Sequence, residues 1–297
     1  MIDTKSHLRI LVLLSTYNGE KWLQEQIESI LSQKDVCVNI LIRDDGSTDN
    51  TLQVISRFEK KVSKLDNQMH LGFNKSYLSL MSESIKYNYD YIAFSDQDDV
   101  WDENKLIHAI NIMNSTNKMH YSSRRSVYSI NNKQETKYIF PKRAVKALKY
   151  NFLVENVAPG CTTVLSRGFF LKEVVSRLNS MQIDYDYFIY MIAAITDNCH
   201  FDSDSKIRYR LHDKNAVGIR VRRQKSVTAI IHQLRTRKDQ ASVLLGTFND
   251  LPQNWELLAR FLSSNSIFHK ILFLVRCGQL RQSKFENFST KLLLLLI

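Results

Sequence analysis

The first hundred residues alternate two hydrophobic rhythms. Arg9-Ile10-Leu11-Val12-Leu13-Leu14 is a nearly continuous apolar run, the pattern of a strand buried on both faces. Trp22, Leu23, Gln26, Ile27, Ile30 and Leu31 then recur at helical spacing. Val38-Asn39-Ile40-Leu41-Ile42 reads as a second strand. Ser47 is placed to cap a following helix, with Asp49 in its first turn and Leu52, Ile55 and Phe58 as its apolar stripe. Residues 78–85 read as helix and Tyr91-Ile92-Ala93-Phe94 as another buried strand. Strands alternating with helices predict an α/β chain with a doubly wound, mostly parallel sheet. Such sheets bind ligands beyond the carboxyl ends of their strands.

Polar clusters stand at those ends. The first strand runs into Ser15-Thr16-Tyr17-Asn18-Gly19, the second into Arg43-Asp44-Asp45-Gly46-Ser47, and a third into Ser95-Asp96-Gln97-Asp98-Asp99. One such loop is an ordinary capping turn, but three on one edge predict a site. From residue 118 to about 218 the pattern is mixed. Pro159-Gly160-Cys161-Thr162-Thr163-Val164-Leu165 reads as a turn into a strand, 186–195 as a helix, and Ile207-Arg208-Tyr209-Arg210 as a strand leading to His212. Beyond Val221 the chain reads as helical throughout.

Composition narrows the field. The 297 residues suffice for one large domain with a real core, and 44 % hydrophobic with 24 % charged content is ordinary for a globular chain. The net charge of +11 is unevenly placed, with 12 Lys and Arg against 4 Asp and Glu from Val221 to Ile297. A basic excess suits nucleic acid, anionic lipid or phosphorylated substrates. The aromatics do not interleave with the basic residues as in RNA-binding modules, which argues against nucleic acid. The basic helices either pack on the rest of the chain, lie on an anionic membrane, or contact a partner. Cys37, Cys161, Cys199 and Cys277 fit no zinc spacing and read as free thiols of a reducing compartment. The apolar run at residues 10–14 is too short for a secretory signal, and no stretch reaches the ~18 apolar residues of a membrane span. The expected location is the cytoplasm, or the inner face of the cell membrane as a peripheral protein.

Asp96, Asp98 and Asp99 put three mutually repelling carboxylates at a strand end, an arrangement that a divalent cation with substrate phosphates would relieve. The rival reading is an N-terminal cap for a helix starting near Asp102, which accounts for one aspartate and not three. Asp44 and Asp45 before Gly46 suit a turn, or acceptance of a base N–H with Tyr17 stacking on the base.

These motifs occur in a known order. Ser15-Thr16-Tyr17-Asn18-Gly19, Ser29-Ile30-Leu31-Ser32-Gln33, Arg43-Asp44-Asp45-Gly46-Ser47-Thr48-Asp49, Leu71-Gly72-Phe73 and Phe94-Ser95-Asp96-Gln97-Asp98-Asp99-Val100-Trp101 strongly resemble the family 2 glycosyltransferases of the GT-A fold, especially bacterial enzymes of the rhamnosyltransferase type. The likeness is strong over residues 9 to 106 and weaker to Gly218, where Pro159-Gly160-Cys161 and Tyr209-Arg210-Leu211-His212-Asp213-Lys214-Asn215-Ala216-Val217-Gly218 resemble later landmarks.

The resemblance implies a GT-A catalytic domain over residues 1–220, with a nucleotide-sugar half at 1–110 and an acceptor half at 111–220. Residues 221–297 would form a basic amphipathic helical extension. It implies that Ser15, Tyr17 and Asp45 hold the base and ribose, with Thr16, Asn18 and Asp44 in the same donor-binding loops and Asp96 toward the donor phosphates. Asp98, Asp99 and His212 are the implied ligands of Mg²⁺ or Mn²⁺, with His212 also touching the diphosphate. Where relatives carry His-Asp-Trp-Trp this chain has Tyr185-Asp186-Tyr187-Phe188. Asp186 is then the expected general base and Asp184 its rival, with Tyr187 and Phe188 as an aromatic wall for the acceptor sugar. Relatives also carry an aspartate that has no equivalent in the acid-free stretch from Ser115 to Gln134.

The expected activity is inverting transfer from a UDP-, dTDP- or GDP-sugar to a hydroxyl of a glycan acceptor, a lipid-linked intermediate of surface polysaccharide synthesis. One alternative is a nucleotide-sugar-binding protein with a degenerate acceptor site. Others are a nucleotidyltransferase, which would want a glycine-rich basic loop after the first strand, and a phospho-receiver-like module, which leaves Asp186 and His212 unused.

Overall fold

The computed structural model describes residues 8–65, 69–131, 134–140, 148–212, 226–248, 255–264, 266–281 and 284–296. The first half runs β1 (Leu8–Thr16), α1 (Leu23–Leu31), β2 (Val36–Asp44), α2 (Thr51–Ser56), β3 (Val62–Lys64), α3 (Phe73–Ser84), β4 (Tyr91–Ser95), β5 (Val100–Trp101) and α4 (Lys105–Thr116). The second runs β6 (His120–Ser123), β7 (Arg125–Asn131), β8 (Gln134–Phe140), β9 (Val164–Ser166), α5 (Arg167–Phe169), α6 (Tyr185–Ile195), β10 (Cys199–Asp202) and β11 (Ile207–Leu211). Four helices follow: α7 (Val227–Leu245), α8 (Glu256–Ser263), α9 (Ile267–Arg276) and α10 (Lys284–Leu294).

Seven strands form the main sheet in the order β10-β6-β9-β4-β1-β2-β3. All its pairings are parallel except those of β9, which runs antiparallel to both β4 and β6. This is the mostly parallel, helix-flanked sheet of the GT-A type. A second sheet, β5-β11-β7-β8, stands beside it.

The apolar run of β1 has its reason in burial on both faces. Leu11 and Leu13 enter one core with Phe94, Tyr77 and Phe188, while Ile10, Val12 and Leu14 enter another with Ile27, Ile40 and Leu106. Alternate residues of one strand point to opposite faces, so both sets must be apolar. The first core also takes Leu234, Leu244, Trp255, Phe261 and Phe273 from the C-terminal helices. Those helices therefore share a core with α3 and α6. The expected boundary at 220/221 and the landmark residues 213–218 lie outside the described residues.

One local expectation fails. Ser47 does not cap α2, which begins at Thr51 after Asn50. Its hydroxyl donates to Asp44 at 2.5 Å and accepts from the Asn18 N–H at 2.8 Å, so the strand-end loops have captured it. The helix expected near Asp102 is α4, which begins at Lys105 behind Asn104, after the acidic loop has led into β5. The aspartates of the loop are therefore not its cap.

Candidate active site

Parallel pairing builds the site edge. Thr16 lies opposite Asp44 and Leu14 opposite Ser95, so the loops after β1, β2 and β4 leave the sheet side by side. Gln97 ties the loop after β4 to the loop after β1, its neighbour in the sheet. Its Oε1 accepts from the Thr16 hydroxyl at 2.6 Å and the Tyr17 N–H at 2.9 Å, and its Nε2 donates to the Tyr17 carbonyl at 3.1 Å. Gly19 is needed here because an added Cβ would press on Gln97 Oε1 and Thr16 Oγ1. Asn18, at φ 48°, turns the loop and accepts from the Thr48 N–H at 2.9 Å. Ser15 sits one step inside β1, near the Tyr77 hydroxyl, which donates to the Ser95 carbonyl at 2.7 Å.

The two aspartates after β2 act on the backbone. Asp44 accepts from the Gly46 and Ser47 N–H groups at 3.2 and 2.9 Å, closing the turn. Asp45 is nearly buried. It accepts from Arg43 Nη1 at 2.5 Å and from the N–H groups of Leu71 and Gly72 at 2.7 and 2.8 Å. Burial alone would raise its pKa, but these donors outweigh burial and hold the carboxyl below its ordinary value. Arg43, wholly buried, continues to the Ser76 hydroxyl and the Met69 carbonyl, both at 2.6 Å. The pair thereby pins the loop before α3 to the end of β2. Above it Tyr17, half exposed, tilts against His70 at 4.8 Å between ring centres, leaving an open aromatic surface beside the strand ends.

The acidic loop splits in direction. Asp98 meets His212 across 114 residues, with Nε2 to Oδ2 at 2.8 Å, and the imidazole stacks on Trp22 at 6.0 Å. Asp99 points inward with no exposure; one oxygen accepts from the Arg210 N–H at 3.3 Å and Oδ2 has no hydrogen-bond partner among the described residues. Asp96 is half-buried. Burial first, then the charges of Asp98 and Asp186, push its pKa up to about 7. Asp99 is raised well above the carboxylate range by burial and then by Asp96 and Asp98.

Behind the loop, one oxygen each of Asp96 and Asp99 and Sγ of Cys161 lie within 4.8 Å of one another. Burial pushes the Cys161 thiol up and keeps it protonated. Lys105 is buried in the same region, with Nζ 3.4 Å above the Trp101 ring, and burial lowers its pKa to about 7 against the pull of Cys161 and Asp99.

Carboxylates that raise one another, an orphaned Asp99 oxygen and an imidazole on Asp98 fit a hard divalent cation. Asp98 and His212 are the residues that could hold it, with Asp96 next to them in the loop. Arg210 frames this arrangement. Its guanidinium lies 4.0 Å from the Trp22 ring, donates to the Asp98 carbonyl at 2.9 Å and pairs with Glu25 at 2.6 Å.

Helix α6 brings the second half of the site. Asn74 clamps its start, donating to Asp184 Oδ1 at 2.7 Å and accepting from the Tyr185 N–H at 3.1 Å. Asp184 is exposed and held by that bond. Asp186, half-buried, accepts from the Gly160 N–H at 3.2 Å. Burial first and Asp184 second raise its pKa to about 6.

Tyr185 stacks on Tyr77 at 3.8 Å inside the core, and Gly160 leaves the space its hydroxyl needs. The expected aromatic wall of Tyr187 and Phe188 is not there. Both are buried, with the Tyr187 hydroxyl donating to the Phe152 carbonyl at 2.6 Å, because α6 is buried on nearly every side apart from Asp186. Phe73, beside Asn74, is the aromatic ring left exposed next to α6.

Sequence reasoning missed several of these residues. Gln97, Cys161 and Arg210 lie inside motifs already singled out and could have been questioned there. Asn74, His70 and Lys105 carry no local signal.

Comparison with known proteins agrees with this geometry. The model of glycosyl transferase family 2 matches residues 11–176, which takes in the strand-end loops and Gly160 and stops before Asp186 and His212. The dTDP-rhamnosyl transferase RfbG of Shigella flexneri is 32 % identical over 219 residues, covering 70 % of this chain and 74 % of that one. The UDP-Glc:alpha-D-GlcNAc-diphosphoundecaprenol beta-1,3-glucosyltransferase WfgD of Escherichia coli is 25 % identical over 267 residues, covering 85 % and 86 %. Among solved structures, residues 1–349 of TarS from S. aureus in complex with UDP-GlcNAc superpose with a TM-score of 0.54 at 14 % identity, covering 96 % of this chain and 90 % of that one, a likeness of fold.

Proposed function

This chain belongs to glycosyl transferase family 2, and from that premise we propose that it transfers a sugar, with inversion, from a nucleoside-diphosphate sugar to a hydroxyl of a glycan acceptor. One observation carries the reading. Tyr185, next to Asp186 at the start of α6, stacks at 3.8 Å on Tyr77, whose hydroxyl donates to the Ser95 carbonyl at 2.7 Å, so the start of α6 from the acceptor half is tied to the acidic loop of the donor edge.

The residues divide the work. Tyr17, with His70, offers a face for the base, while Ser15, Thr16, Asn18, Asp44 and Asp45 shape the loops that seat base and ribose. Asp98 and His212 would hold a divalent cation, with Asp96 toward the donor phosphates and Asp99 behind them. When bound, such an ion offsets charge developing on the leaving diphosphate. Asp186 accepts the proton of the acceptor hydroxyl as that oxygen attacks the anomeric carbon from the face opposite the leaving group. Its raised pKa suits that role, since a base poised near neutrality is both deprotonated and strong enough to pull. Asp184 is the weaker candidate because Asn74 already holds its carboxylate.

The rhamnosyl relative makes a dTDP-deoxyhexose the first donor to try, and the name of the glucosyl relative supports a lipid-linked acceptor of surface polysaccharide synthesis. The basic segment from residue 221 fits a protein working at the inner face of the cell membrane; among the described residues no helix is long and apolar enough to cross one. Calorimetric titration with dTDP, UDP and GDP, with and without Mn²⁺, followed by a turnover panel of the matching sugars, tests the reading. Cation-dependent affinity for one nucleotide is expected; no affinity for any of them would sink it.

A further inference from the structure

We propose that the outer face of α9 and α10 is a docking surface for an anionic phospholipid bilayer, an inference that rests on the reading of a lipid-linked acceptor. Among the described residues fourteen large apolar side chains are exposed, and seven of them fall between Ile267 and Leu296. On α9 they are Ile267, Phe268, Ile271 and Val275, with Phe268 66 % and Val275 75 % exposed. At 100° per residue these four fall within one stripe of the helix. On and just beyond α10 they are Phe288, Leu292 and Leu296, each four residues from the last and so again on one line.

The opposite faces of the same helices are already satisfied. Phe273 on α9 and Leu294 on α10, opposite the stripes, are buried in the core shared with α3 and α6, together with Leu274 and with Leu280 between the helices. The Lys291 ammonium donates to the Leu274 carbonyl at 2.6 Å, which sets α10 beside α9. The outer stripes are therefore not what folds these helices, and in water they expose apolar surface of a kind soluble proteins keep small.

Charge selects the occupant. From residue 265 to 297 the chain carries five Lys and Arg and one Glu, of which Lys291 is turned to the Leu274 carbonyl and Arg281 to Glu155. Arg276 is exposed directly after Val275, at the edge of the α9 stripe. Apolar side chains flanked by cations describe a helix lying in the headgroup boundary of an anionic leaflet, rings and branched chains down and cations toward lipid phosphates. A second copy of this chain fits less well. A two-fold contact would place the same basic patch against itself, whereas a membrane of anionic lipid offers the complementary sign.

The full chain sedimented with vesicles of phosphatidylcholine, with and without phosphatidylglycerol, tests the proposal. Binding should need phosphatidylglycerol and weaken with added salt. The exposed pair Phe268→Gln with Ile271→Gln should lower the partition coefficient roughly ten-fold with an unchanged melting curve, because neither ring nor branch supports the core. A Phe268→Trp variant should shift its fluorescence to the blue on phosphatidylglycerol vesicles and be quenched by brominated chains. No binding to phosphatidylglycerol vesicles, or binding indifferent to the double variant, overturns the proposal. So does sedimentation-equilibrium evidence of a dimer that the double variant dissolves. Nucleotide affinity on the same preparation separates the two claims. A chain that binds nucleotide and not vesicles overturns the docking alone, and one that binds vesicles and no nucleotide overturns the transferase reading alone.

Discussion

Replacing Asp186 with asparagine separates the proton acceptor from everything else in the site. The side chain keeps its size, and its carbonyl oxygen can still accept the Gly160 N–H that now reaches Asp186 at 3.2 Å. The start of α6 stays clamped by Asn74. What disappears is the base. Removing a positioned general base lowers turnover about 10²- to 10⁴-fold, or ~3–5 kcal/mol of barrier at ~1.4 kcal/mol per decade.

The donor side should move the other way. Asp186 is one of the charges that raise Asp96, so neutralising it eases ionisation of Asp96, and cation-dependent nucleotide affinity should hold or tighten slightly. The pH profile gives a second readout. The Asp186 pKa is raised to about 6, and the base works only as a carboxylate, so wild-type turnover should fall as pH drops through about 6 and level off above it. Asp184 supplies part of that elevation. Asp184→Asn should therefore slide the acid limb to lower pH while turnover at pH 8 changes little. Transfer rates across pH, with nucleotide titrations beside them, decide the matter. If Asp184→Asn loses as much turnover at pH 8 as Asp186→Asn, the assignment of the base is wrong.

Three further perturbations probe the scaffold of the site. Asp45→Ala leaves the buried Arg43 guanidinium without its partner and should cost about 3–5 kcal/mol in denaturant melts. Because the folded pKa of Asp45 is depressed, its contribution is present above the ordinary carboxylate range and lost as pH falls through the folded value, so variant and wild type should converge in acid. Asp98→Ala removes the partner of His212 and should weaken Mn²⁺-dependent nucleotide binding by at least about ten-fold, with the cation-independent part of the titration unchanged. Gly160→Ala sets a Cβ against the Tyr185 hydroxyl, whose ring is stacked on Tyr77 and cannot step aside, so a loss of ~1–3 kcal/mol is expected in thermal melts together with reduced turnover.

Much of the donor edge was legible in the chain alone. The strand runs of β1, β2 and β4 and the polar loops after them are local patterns, and parallel pairing follows from strands that alternate with helices. Side chains such as Asp44 and Gln97 act on backbone within their own or the adjacent loop, so naming the loops came close to naming the contacts. Local reading misled where two loops compete for one group. Ser47 has the chemistry of a helix cap, but Asp44 and Asn18 reach it first once β1 and β2 lie side by side. It also misled at Tyr187 and Phe188, whose aromatic character says nothing about which flank of α6 meets solvent.

The tertiary structure decided which distant residues share a space. Asp98 and His212, Asn74 and Asp184, and Asp96 and Cys161 are separated by scores of residues, and no period or spacing links them. The same holds for the charge that each acid carries. Three carboxylates in a row say only that they repel; burial beneath β11 and α6 is what raises Asp96, Asp99 and Asp186 and leaves Asp45, with donors on every side, depressed. Hydrophobic rhythm and strand-end polarity are properties of neighbours along the chain, which a sequence states directly. Proximity, desolvation and pKa are properties of neighbours in space, and they come into being only when the sheet has closed its two cores.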